Sequence, residues 1–180
     1  MDCELSNKPI IGEFFIKNNL MKTIILIIIL ISLSFSNKVF GQEFNAPPNK
    51  IIIPKVSINL PVFTAQINYD TWEVRMDGAS FGQSTTYPGN IGNTVIFSHA
   101  RPGLFQDLPN LQIGDYIHVF TAQDWFVYKV AKVLVVDPND TGEIFSSNKH
   151  ELTLFTCTGI NYSKRFVVKA ILVSDPQNSL

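Results

Sequence analysis

The chain has 180 residues with 14 Lys and Arg against 15 Asp and Glu, a formal net charge of −1 at pH 7 that excludes nucleic-acid binding through bulk charge. With 46% hydrophobic and 16% charged residues, it has enough apolar material for a packed core and too little charge to stay disordered. A chain of this size fits one compact domain.

In chain order, the first feature is the uncharged run TIILIIILISLSF from Thr23 to Phe35, which follows Met21-Lys22. As a helix it would reach roughly 20 Å, short of the roughly 30 Å hydrocarbon core of a bilayer, which fits a signal-peptide segment better than a full span. Val39-Phe40-Gly41 before Gln42 is a small-residue cleavage site of middling match. The alternative is an uncleaved membrane anchor oriented by Lys17 and Lys22. Both readings place the remainder at the cell surface, outside the cytoplasm, and leave the membrane in contact with the N-terminal segment alone. Residues 1–20 precede a second Met that already begins a good signal, and are given no structural role. Residues 1–41 are thus an extension.

Cys3 and Cys157 fall on opposite sides of that segment, so the exported part holds one thiol and no internal disulfide. An unpaired thiol outside the cell calls for a reason.

Residues 42–49, QEFNAPPN, are polar with a Pro pair and read as a linker, so the folded domain is expected over 50–180. Ile51 to Val56 and Pro61 to Phe63 are β-type runs whose prolines confine them to strand ends, bulges or sheet edges. Thr94 to Phe97 is a continuous β-branched and apolar run, which predicts a buried strand with His99 at its exit. Leu104, Phe105, Leu108 and Leu111 recur at helical spacing, but Pro109 and Gly114 limit them to a turn or two. Tyr116 to Phe120 and Trp125 to Val136, split by four residues, predict a hairpin. Asp137 to His150 reads as a polar loop. Leu152 to Cys157 and Arg165 to Val173 close the series as two further strands. Short strands, turns between them and no helix of any length predict an all-β sandwich or closed barrel.

Strand alternation puts Leu152, Leu154 and Thr156 on one face and Thr153, Phe155 and Cys157 on the other. Seven residues, Gly159, Asn161 and Ser163 among them, separate Cys157 from Arg165 and allow an antiparallel return that sets Arg165 beside Cys157. A cation favours thiolate over thiol and can donate to an oxyanion. An ordinary thiol, with a pKa near 8.5, is only a few per cent thiolate at pH 7, so an efficient nucleophile needs a base or cation, and His99 is the candidate base. Singly, each residue has a plainer reading: a buried small hydrophobe for Cys157, a structural histidine for His99, a surface charge for Arg165. Arg101 competes for the cationic role by its proximity to His99. His118, within a strand, and His150, in a polar turn, read as structural.

Thr153-Leu154-Phe155-Thr156-Cys157 matches the TLxTC signature of the sortase family, and Arg165 follows Cys157 at the spacing seen in many sortases. Gly92 to His99 resembles the family's segment leading to its histidine, Leu111 to Asp115 its L-x-x-G-D stretch, and Ile53-Pro54-Lys55 with Pro61-Val62 its first strands. The resemblance covers about residues 50–174. Ser98 departs from it, since many sortases carry Gly before the histidine, which leaves the local turn geometry open. The resemblance implies a closed sortase-type β-barrel of about seven to eight strands with short helical connectors. It further implies that Cys157 is the nucleophile, His99 the acid/base and Arg165 the group that positions substrate and stabilises the oxyanion, with Thr156 a lesser candidate for substrate contact. The implied reaction cleaves an LPxTG-like sorting signal through a thioacyl-enzyme and transfers the acyl group to an amine of the cell envelope or of a protein subunit, with hydrolysis as side reaction. Length and domain simplicity suggest a class D or E type.

Two rivals predict different chemistry. An L,D-transpeptidase resembles S-H-G-C, with histidine two residues before the cysteine, where this chain has Phe155. A non-enzymatic exported domain for adhesion or ligand binding predicts that Cys157→Ala changes no activity. No cofactor motif is evident, and three scattered histidines show no metal-ligand spacing. Asp137 to Gly142 faintly resembles a calcium loop, but Thr141 and Asn148 stand where acidic or amide ligands are expected, which favours a solvated loop.

Overall fold

The computed structural model describes residues 43–69, 71–144 and 147–176, together with Met21, Lys22, Ile24 and Leu26. The chain divides into Met1–Gln42 and Glu43–Leu180. In the first unit the four described residues are helical and exposed. The targeting segment and its cleavage site otherwise lie outside the described residues. Among those described, no helix is long and apolar enough to cross a membrane.

The second unit is built on ten strands: β1 (Lys50–Ile53), β2 (Ile58–Ala65), β3 (Ile67–Asn68), β4 (Thr71–Trp72), β5 (Ala79–Gly82), β6 (Gly92–Phe97), β7 (Tyr116–Phe120), β8 (Trp125–Val136), β9 (His150–Thr158) and β10 (Lys164–Ser174). Eight of them close into a barrel in the order β1-β2-β5-β6-β9-β10-β8-β7, with β7 pairing back onto β1, while β3 and β4 form a small hairpin. The expected closed barrel with short helical connectors is what forms. Its connectors are 3-10 turns at Pro54–Val56, Leu108–Asn110, Gly142–Ile144 and Ile160–Tyr162.

Local sequence explains the joints. Pro54 opens the first 3-10 turn, which Ser57 ends in the left-handed region at φ 53°. Pro61 lacks an N–H, and it falls where the β1 ladder ends, paired with Lys50, and the β5 ladder begins at Val62. The helical spacing from Leu104 to Leu111 yields turns and one 3-10 turn, whose Phe105, Leu108 and Leu111 are buried as a plug on the core.

Alternation sorts the side chains. Leu152 and Leu154 of β9, with Ile51, Phe81, Ile96, Ile117, Phe126 and Val168, fill the barrel interior. A smaller cluster on the outside joins Ala65, Val95 and Phe97 to Trp72 and Phe155. Because the hairpin and loops cover its outer face, β6 is buried at every residue, the reason its sequence is a continuous apolar run rather than an alternating one.

Residues 43–49 carry no regular secondary structure, as a linker would, but they are docked on the barrel. Phe44 is buried edge-on against Phe126, with ring centroids 4.8 Å apart. Its N–H donates to Asn90 Oδ1 at 2.9 Å and its carbonyl accepts from Asn90 Nδ2 at 2.6 Å. Gly89, at φ 87°, leaves no room for a Cβ beneath the Phe44 and Phe126 rings.

Candidate active site

Cys157 and Arg165 come together through register. They are directly paired residues of the antiparallel β9–β10 ladder, at the end where β9 gives way to the Gly159–Ser163 turn. The thiol is free and half-buried. Arg165 Nη1 donates to the carbonyls of Tyr162 and Lys164, each at 3.1 Å, which holds the guanidinium over the turn. No carboxylate among the described residues pairs with it.

His99 comes from the other direction. Strand β6 runs parallel to β9, with Phe97 opposite Phe155, so the residues leaving β6 emerge beside the Thr156-Cys157 end of β9. The main chain there is clamped from both sides. Thr156 Oγ1 donates to Ser98 O at 2.8 Å, and His99 O accepts from Arg101 N at 2.9 Å and Phe105 N at 3.0 Å. The serine that departs from the expected glycine has a partner of its own: Ser98 Oγ donates to Gly78 O at 2.9 Å.

His99, Cys157 and Arg165 line one open cavity of about 710 Å³, along with Thr156. Three side chains far apart in sequence thus share one concave surface. Thr156 is buried with its hydroxyl proton committed to Ser98, so it ties the strand of Cys157 to the segment that carries the imidazole. Arg101, the rival cation, is exposed, places Nη1 3.9 Å from Met76 Sδ and is not among the lining residues. His118 sits half-buried on β7, three strands from β9 around the barrel. His150, expected in a turn, is the first residue of β9, and its Nδ1 is 2.6 Å from Gly89 O.

Several lining residues escaped the sequence reading. Ile67, Trp72 and Val74 form an apolar wall on and beside the β3–β4 hairpin, with Thr71 among them. The Trp72 indole stacks on Phe97 at 5.5 Å, and Phe97 stacks on Phe155 at 4.8 Å, an aromatic run leading to Cys157. Gly82 permits it, since a Cβ there would lie 2.8 Å from the indole. Strands of two residues leave no periodicity to read; the unread Trp72 was the available signal.

Pro138 and Thr141 of the β8–β9 connection also line the cavity. The loop is solvated as expected, exposed over residues 137–142, and two of its carboxylates reach lysines of the barrel. Asp137 Oδ1 accepts from Lys164 Nζ at 2.6 Å and Glu143 Oε1 from Lys132 Nζ at 2.9 Å, while Asp140 Oδ1 accepts from Gly142 N at 3.2 Å within the loop. Among the described residues, no group of three or more His, Cys, Asp and Glu side chains is placed to hold a metal ion.

A family model described as a sortase domain matches residues 51–173. Sortase A of Bacillus anthracis is 32% identical over 128 residues, which cover 69% of this chain and 59% of that protein, so the chain spans about three fifths of this relative. Among solved structures, a Sortase D5 transpeptidase of Clostridium perfringens superposes with TM-score 0.61 at 24% identity, covering 74% of this chain and 82% of that one. Sortase C1 of Streptococcus suis gives 0.61 at 25% identity, covering 72% and 74%, and sortase C-1 of Streptococcus pneumoniae gives 0.63 at 27%, covering 70% and 66%.

Proposed function

The chain belongs to the sortase family, and we propose that it is a cysteine transpeptidase that cleaves an LPxTG-like sorting signal and passes the acyl group to an amine. The observation that carries this reading is the cavity whose lining Arg165, paired with Cys157 across the β9–β10 ladder, shares with His99 from the end of β6. Cys157 Sγ, its proton passed to His99, attacks the scissile carbonyl and forms a C–S bond, and Arg165 donates to the oxyanion that develops. Collapse breaks the C–N bond as His99 gives a proton to the leaving amine. An incoming amine then attacks the thioester, His99 takes its proton, and the C–S bond breaks to release product. Water in place of the amine gives hydrolysis. Protein substrates carrying the motif and an amine of the cell envelope or of a protein subunit are the partners this chemistry requires, and an N-terminal signal or anchor would place the domain at the cell surface to meet them.

The test is incubation with a library of sorting-motif peptides and a triglycine acceptor, with products read by mass spectrometry. We expect a product in which the peptide is joined to the acceptor between the last two motif residues, and none with Cys157→Ala. Equal conversion by Cys157→Ala would overturn the reading.

A further inference from the structure

Lys169, in the middle of β10, is a charged side chain only 8% exposed. Its ammonium donates to the main-chain carbonyl of Glu143 at 2.6 Å and lies 3.1 Å from Glu151 Oε1 and 3.7 Å from Glu143 Oε2. The same Glu143 carbonyl accepts from Asn93 Nδ2 at 3.2 Å, and the single hydroxyl proton of Thr153 is shared between Asn93 Oδ1 at 2.7 Å and this carbonyl at 3.3 Å. Three neighbouring strands, β6, β9 and β10, thus each send one side chain to a single carbonyl of the β8–β9 connection.

The location gives this convergence a consequence for the site. Along the β9–β10 ladder Cys157 faces Arg165, Phe155 faces Val167 and Thr153 faces Lys169, so alternation puts the ammonium on the same barrel face as the thiol. The four residue steps from Thr153 to Cys157 span about 13 Å. The connection held there is the one whose Pro138 and Thr141 form a wall of the cavity. A buried ammonium with two carboxylates and a carbonyl around it is costly to disrupt, because removing it leaves the half-buried Glu151 carboxylate uncompensated and the carbonyl without its charged donor. Lys132, opposite Lys169 on β8, binds Glu143 from the exposed side and cannot replace the bond to the carbonyl.

We infer that Lys169 is a positioning residue: its ammonium latches the β8–β9 connection onto the barrel and thereby sets the groove wall that receives the peptide. Resting on the proposed function, this assigns to Lys169 a role in substrate binding and none in the chemical steps.

The test compares wild type with Lys169→Met, which keeps the length of the side chain and removes the charge. In peptide transfer with triglycine, we expect KM to rise about tenfold with kcat within twofold. Alkylation of Cys157 by iodoacetamide, which needs no wall, should stay within twofold, while limited proteolysis should cut the 137–149 segment at least tenfold faster. An unchanged KM, an unchanged cutting rate, or a parallel fall of kcat and alkylation overturns the inference. Should Lys169→Met not fold, Thr153→Val removes a neutral donor to the same carbonyl, and a KM increase of about threefold supports the latch where no increase overturns it. A wild type that transfers no peptide defeats the proposed function instead, and the proteolysis comparison still decides the latch.

Discussion

At the scale of single residues, what matters is which groups are free to act and which are held. Arg165 directs Nη1 at two carbonyls of its own turn and meets no carboxylate among the described residues, so the cation is fixed without being neutralised. A lysine there keeps the charge and loses the planar fork, so Arg165→Lys should lower kcat about 10²- to 10³-fold with a smaller change in KM, measured by steady-state transfer. Thr156 is held differently. Thr156→Val leaves the Ser98 carbonyl without its partner, which should cost about 1–3 kcal/mol in urea unfolding and slow turnover through displacement of the neighbouring His99. Tyr128 has the clearest ionisation. Burial pushes its pKa up to about 12, with its oxygen accepting from Gly89 N at 2.9 Å. Between pH 10 and 12 the unfolded chain loses this proton while the folded one keeps it, so the contribution is complete below pH 10 and lost as pH rises through 12. Unfolding free energy should therefore fall by about 2–3 kcal/mol across that window, and Tyr128→Phe should lack that share of the fall.

At the scale of elements, β9 carries most of what could be read in advance. Its alternation, its end near Cys157 and the seven-residue return to Arg165 were all legible, because strand period and loop length act locally. The β3–β4 hairpin was not, since two-residue strands carry no pattern and its aromatic stack is settled by contacts across the sequence. Gly82→Ala should push the indole off Phe97, shift tryptophan emission and raise KM severalfold, read by fluorescence and peptide kinetics together. The β8–β9 connection is the polar, solvated loop its composition predicts, but its anchoring was not legible, for a related reason. Composition shows that a segment is polar and says nothing of whether its carboxylates find partners. Here Asp137 and Glu143 each meet a lysine, contacts set by the barrel's closure and not by neighbours in sequence.

For the whole molecule, the barrel closes around a core that the apolar strands supply, and the parallel approach of β6 to β9 brings the histidine's segment to the cysteine's end. The docked segment at Phe44 works elsewhere. It is clamped by Asn90, next to Gly89, whose carbonyl lies beside His150 at the start of β9, about 23 Å along that strand from Cys157. The Pro pair and polar neighbours hid this role, which rests on one aromatic ring finding Phe126. Phe44→Ala should destabilise the domain by about 3 kcal/mol or more in chemical unfolding and leave transfer at 25 °C unchanged.

The central claim is that imidazole, guanidinium and thiol act as one acyl-transfer centre. Intact-mass analysis of the protein quenched during turnover of a sorting-motif peptide without amine tests it most directly. The expected result is an added mass equal to the N-terminal acyl fragment, localised to Cys157, discharged by triglycine and absent in Cys157→Ala. A chain that cleaves the peptide with no thioester at Cys157, or forms the thioester as fast when His99 or Arg165 is replaced by Ala, would contradict it.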